Sequence, residues 1–125
     1  MSKIPLVEAE VSAAHAMATL TRHGAAGVAV RADEGYRLYS LTEIADAVRA
    51  DRASSLAGVG SRRLALDSAS LRSAAGVELL DILPHVDIRA FQLAPPKWVC
   101  PNGDFSALTS GSCPNDGEKL VRSGA

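Results

Sequence analysis

Residues 24–49, G-A-A-G-V-A-V-R-A-D-E-G-Y-R-L-Y-S-L-T-E-I-A-D-A-V-R, read as strand, turn, strand and helix. Val28 and Val30 supply a β-branched run, Asp33-Glu34-Gly35 is turn chemistry, and Tyr36 to Tyr39 form a second aromatic and apolar run. A helix opens at Ser40. Ser40 and Glu43 make S-x-x-E, in which the serine oxygen accepts a free backbone N–H in the first turn and the carboxylate reaches back to the cap. Leu41, Ile44, Ala45 and Val48 then fall on one helical face.

Upstream, residues 4–8 form a short extended segment that Pro5 confines to a sheet edge or a strand start. Val11, Ala14, Met17, Ala18 and Thr21 recur at helical steps behind a cap at Ser12, and the run stops at His23-Gly24, where glycine supplies the left-handed closing residue. His15 and His23 are too far apart on that helix to share a metal by i, i+4 geometry, so both read as surface histidines. His23 complements the C-terminal end of the helix dipole.

The order of these elements, with V-A-V before an acidic turn and S-L-T-E-I-A-D-A-V after it, resembles a CBS domain over about residues 4–50. The resemblance implies a ligand cleft in which Ser40 stands for the family's threonine and Glu43 for the aspartate that accepts ribose hydroxyls, with Tyr39 beside them. An adenine nucleotide is the ligand so implied. The capping box alone also accounts for Ser40 and Glu43.

At 125 residues the chain is long enough to bury a core without staples, and one domain with a small appendage is expected. Aromatic residues are 4% of the chain, so close helix packing on a thin sheet is expected in place of large rings. With a formal net charge of −1 and interspersed signs there is no basic stripe for nucleic acid. No apolar run approaches a membrane span, and Met1-Ser2-Lys3 leads into no signal-peptide core, so a cytoplasmic location without membrane or nucleic-acid partners is expected.

Residues 51–61 have the small, polar, glycine-containing composition of a connection, and G-V-G-S-R-R lacks phosphate-loop spacing, leaving Arg62 and Arg63 as the sole support for an anion site. Residues 63–66 read as a strand. Leu71, Ala74, Ala75, Leu79, Ile82 and Leu83 predict a helix interrupted at Gly76 and ended by Pro84, and residues 86–93 predict a half-exposed strand. Asp81, His85 and Asp87 read as solvated corner residues. Residues 1–94 are thus expected to form an α/β (α+β) two-layer sandwich, CBS-like in its first half.

Pro95-Pro96 marks a change of character. C-P-N-G-D begins at Cys100 and C-P-N-D-G at Cys113, and each resembles the C-P-x-C-G knuckle of a zinc ribbon, so residues 95–125 are expected to form a small β ribbon-like appendage. The second cysteine of each knuckle is missing; Asp104 and Asp116 stand close to where it would be. Three readings remain open. A metal-free ribbon held by Trp98, Phe105 and Leu108 needs no cofactor, and the rarity of carboxylates in structural zinc sites favours it. A mixed zinc site would use Cys100, Asp104, Cys113 and Asp116. A Cys100–Cys113 disulfide would stabilise by roughly 3 kcal/mol if strain-free.

The tail has no histidine to act as a base for either thiol, and neither G-x-S-x-G nor H-E-x-x-H occurs. The expected function is a non-catalytic regulatory or adaptor module that acts through protein contacts, as a homodimer or with a protein partner, because a single CBS-like unit leaves uncovered the face that normally packs on a second unit. The alternative is a small enzyme or carrier whose chemistry no motif flags.

Overall fold

The computed structural model describes residues 3–74 and 76–123; Met1, Ser2 and Ala75, which enter the readings above, lie outside them. The chain begins β1 (Lys3–Val7), α1 (Ala13–His23), β2 (Gly27–Ala32), β3 (Gly35–Ser40), α2 (Leu41–Ala50). Ser12 caps α1 by accepting the His15 N–H, and Gly24 closes it in the left-handed region at φ 59°. The reciprocal cap on α2 is fully formed: Glu43 N–H donates to Ser40 Oγ at 3.2 Å, and Ser40 N–H donates to Glu43 Oε1 at 3.0 Å.

Beyond α2 come β4 (Arg62–Ala65), β5 (Ala69–Ala74) and β6 (Val77–Ile82). The six strands form one sheet in the order β4-β3-β2-β1-β6-β5. Only β1 and β2 run parallel, with α1 as the crossover that parallel neighbours require. Three residues, Leu66–Ser68, join the two outermost strands. An extended link from Ala65 to Ala69 reaches at most about 14 Å, whereas a flat sheet of this size would hold its outer strands about 24 Å apart. The sheet must therefore curl, and the fold is mixed α+β with a curled sheet and two helices.

Strand alternation divides the core into two clusters. Inside the curl, Ile4, Ala29, Tyr36, Leu38, Leu64, Leu80 and Ile82 pack together. On the other face Val28, Val30 and Tyr39 meet Met17 and Leu20 of α1 and Leu41, Ile44 and Val48 of α2. Gly35, at the β2–β3 turn, is required by close approach, since a Cβ there would collide with the Leu64 carbonyl.

Two expectations for the middle of the chain are corrected. Residues 71–83 contain the β5–β6 hairpin, not a helix, with Leu71 opposite Leu80 and Ala69 opposite Ile82. Gly76 sits at φ +79° in the turn, which a helix cannot accommodate, and β6 gains a second partner in β1 through Ile4↔Leu80. Residues 86–93 contain no strand; a 3-10 turn at Ile88–Phe91 lets Val86, Ile88, Phe91 and Leu93 cover the inner cluster. The strand expected at 63–66 is present as β4, shifted by one residue.

The tail forms its own three-stranded sheet, β7 (Trp98–Val99), β8 (Ser106–Ala107) and β9 (Val121–Arg122), with β7 central. Phe105, Ala107 and Leu120 are buried in the same cluster as the two helices. Ser106 makes the junction polar as well: its hydroxyl lies 2.7 Å from Thr21 Oγ1, and its N–H points at Met17 Sδ at 3.3 Å. No helix among the described residues is long and apolar enough to cross a membrane.

Candidate metal centre

Both C-P-N segments turn tightly before a short strand can begin. In the first, Gly103 N–H donates to the Cys100 carbonyl at 2.8 Å and Cys100 N–H to the Phe105 carbonyl at 2.8 Å. In the second, Gly117 N–H donates to the Cys113 carbonyl at 2.9 Å and Cys113 N–H to the Glu118 carbonyl at 2.7 Å. Gly103 and Gly117 take φ values of 75° and 76°, which explains why each segment carries a glycine. Asn115 N–H points at Cys113 Sγ at 3.4 Å, the arrangement in which a backbone dipole faces a thiolate.

The two turns face each other and cross-pair. Cys100 Sγ of the first lies 3.5 Å and 3.7 Å from the two Asp116 oxygens of the second. Cys113 Sγ of the second lies 3.7 Å from Asp104 Oδ1 of the first. The four donor atoms lie within 4.8 Å of one another, and among the described residues this is the one grouping of three or more such side chains. A tetrahedral zinc ion with bonds near 2.0–2.3 Å sets its donors roughly 3.3–3.8 Å apart, so small side-chain shifts would close this cluster on an ion.

The electrostatics of the cluster disfavour bare negative charge on the Cys100 thiol. Both cysteines are buried, and burial, followed by smaller effects of the neighbouring thiol and carboxylates, pushes the Cys100 thiol up to about 12. Asp116 is held below the usual carboxylate range chiefly by the Glu118 N–H, which donates at 2.9 Å, and by the Asn102 side-chain amide. None of the ion pairs among the described residues reaches Asp104 or Asp116, so two neighbouring carboxylates share one site without a cationic side chain. A divalent ion would replace the thiol protons and screen that repulsion. The cysteines form the inner side of the centre and exposed Asp116 its rim.

The residues singled out for a nucleotide, Ser40, Glu43 and Tyr39, lie where β3 passes into α2. Tyr39 is 1% exposed in the helix-side core, and the Ser40 hydroxyl and one Glu43 oxygen are engaged in the cap. The cap lies at the start of β2, beside Gly27, while a groove of about 700 Å³ lies at the opposite end beside Val30 and Arg31. That groove went unforeseen because its walls come from three separated segments, with His15, Thr19 and Arg22 of α1 on one side and Glu78 of β6 on another. Asn102 and Glu118, which hold Asp116, were missed as well; their shared feature is proximity to the C-P-N turns. Comparison with family models, with curated proteins and with solved structures returns no match, so the centre is read from its own geometry.

Proposed function

We propose that this chain is a non-catalytic regulatory or adaptor module acting through protein contacts, with its C-terminal ribbon held by a structural zinc ion. The crossed Cys100, Asp104, Cys113 and Asp116 cluster carries the reading. Four protein donors complete a tetrahedral shell and leave no open position for substrate or an attacking water, which is what separates structural from catalytic zinc. The two sulfurs select zinc over hard cations, and the two carboxylates make the site weaker than a four-thiolate one.

The partner proposed is a second copy of the chain. The β-α-β-β-α order of the first half supports the resemblance to a CBS-like unit, a unit suited to pairing. The open sheet edges are β4 and β5, and the large apolar side chains exposed beside them are Leu66 at 61% and Leu71 at 38%. An unpaired strand edge with an apolar residue on it favours pairing with another strand.

The test combines elemental analysis with light scattering on chain purified without chelator. We expect close to one zinc per chain, lost in Asp116→Ala, and twice the chain mass of 13.0 kDa at micromolar concentration, halved by Leu71→Lys. A zinc-free chain that takes up none from added salt would sink the metal reading. A monomer at about 100 μM, well above the Kd of a complex of about −8 kcal/mol, would sink the dimer.

A further inference from the structure

Cys100 and Cys113 are the protein's two cysteines, both are free, and the structure buries both at one place. Their sulfurs belong to a cluster whose donor atoms all lie within 4.8 Å, yet they sit on different turns thirteen positions apart in sequence. Each turn closes its backbone hydrogen bonds within itself, from Gly103 N–H to the Cys100 carbonyl and from Gly117 N–H to the Cys113 carbonyl, while side chains alone link the cluster across, through the Cys–Asp contacts and the Asn102 amide on Asp116. The groups interleaved with the sulfurs are the carboxylates of Asp104 and Asp116, and Asp116 is solvent-exposed.

We propose that the centre is a redox switch, in which a two-electron oxidant of the peroxide class converts the zinc-bound dithiolate into a Cys100–Cys113 disulfide and expels the ion. This rests on the zinc reading above and adds regulation to it. One thiolate attacks a peroxide oxygen, breaking the O–O bond to give a sulfenic acid and hydroxide. The second thiolate attacks that sulfur, forming the S–S bond and releasing the second hydroxide. Each sulfur loses one electron, the two peroxide oxygens gain one each, and zinc departs as the divalent ion, since the two remaining carboxylates are poor ligands for it. A thiol reductant with zinc reverses the change.

The neighbourhood favours pairing over further oxidation. A sulfenic acid formed on either cysteine has the other sulfur within the same cluster, so an intramolecular attack competes with a second peroxide that must arrive from solution. Intramolecular pairing therefore precedes sulfinic acid formation. The exposed Asp116 side is the route by which the first peroxide enters.

The experiment uses the full zinc-loaded chain with one to two equivalents of hydrogen peroxide, followed by a chromogenic zinc chelator, a thiol titration under denaturing conditions and intact mass. The expected result is loss of both thiols together, a mass loss of about 2 Da in the monomeric chain, one zinc released per disulfide, and full recovery with reductant and zinc. Cys100→Ser should instead gain about 16–32 Da at Cys113 or form covalent dimers. Mass gain at either cysteine of the wild-type chain, covalent dimers, or a disulfide that retains zinc would overturn the switch. A chain that takes up no zinc before oxidant is added would show the metal reading, and with it the coupling to ion release, to be wrong. The mass change on the metal-free chain would then decide separately whether the two thiols pair.

Discussion

Cys100 is held in its protonated form chiefly by burial. In the reduced, metal-free chain its thiol is pushed up to about 12 from an ordinary 9.0, so the folded state holds a proton that the unfolded chain releases sooner. That contribution to stability is whole below pH 9 and is lost as pH rises toward 12. Urea melts of the chelator-treated chain should therefore show stability falling across that alkaline window, and Cys100→Ser should flatten the fall; equal slopes would show that other groups govern it. Ser40 and Glu43 give a second prediction at this scale. With both cap bonds formed and Tyr39 buried beside them, Ser40→Ala should cost about 1 kcal/mol in urea titration, and millimolar AMP should leave the melting temperature unchanged. A nucleotide-dependent rise that Glu43→Ala removes would restore the ligand role instead. The cap was legible in sequence because its partners are three residues apart. The crossing of Cys100 with Asp116 and of Cys113 with Asp104 was not, because a repeat names the donors without saying how two turns face each other.

Among the elements, the β5–β6 hairpin shows where periodicity misleads. Leu71, Leu79, Ile82 and Leu83 satisfy a helical stripe, yet the same stretch also carries an alternating pattern through Leu80 and Ile82, which face the inside of the curl. A short run of apolar residues fits both periods, and what decides is the partner strand: β1 offers an open edge that β6 completes at Lys3↔Asp81, Ile4↔Leu80 and Pro5↔Leu79. No window of sequence contains that information. The first half of the chain was readable because α1 and α2 carry local caps and β2–β3 is a tight hairpin. The hairpin assignment gives a quantitative prediction. Leu80 is fully buried at the pairing of Ile4 and Leu71, so Leu80→Ala should cost about 2–5 kcal/mol, while Leu79→Ala, half-buried on the other face, should cost much less. The helical alternative would put Leu79, Ile82 and Leu83 on the buried stripe and predicts the reverse order.

For the whole molecule the question is whether the ribbon folds as an accessory or as part of the core. Phe105 is fully buried against the helix cluster, Arg49 of α2 lies over its ring at 5.2 Å, and Ser106 reaches both Thr21 and Met17 of α1. Removing such an aromatic from a core costs about 3–5 kcal/mol, a large share of what a domain of this size has to lose. Ribbon and helices should then unfold together, and a zinc ion bound to the ribbon should stabilise the helices as strongly as the ribbon itself. The chain carries its own reporter for this, since its one tryptophan, Trp98, lies in the ribbon strand β7, while both helices lie in the first half. Tryptophan fluorescence follows the ribbon and far-ultraviolet dichroism at 222 nm follows the helices. The two melting curves should coincide, and free zinc at 100 times its dissociation constant should move both by the same amount, equivalent to about 2.7 kcal/mol. Separate transitions, with only the tryptophan curve responding to zinc, would make the ribbon an independent unit, and residues 1–94 would then be expected to fold alone. Coincident transitions would mean that whatever loads or empties the candidate metal centre also sets the stability of the curled sheet and of the edges through which the module is proposed to pair.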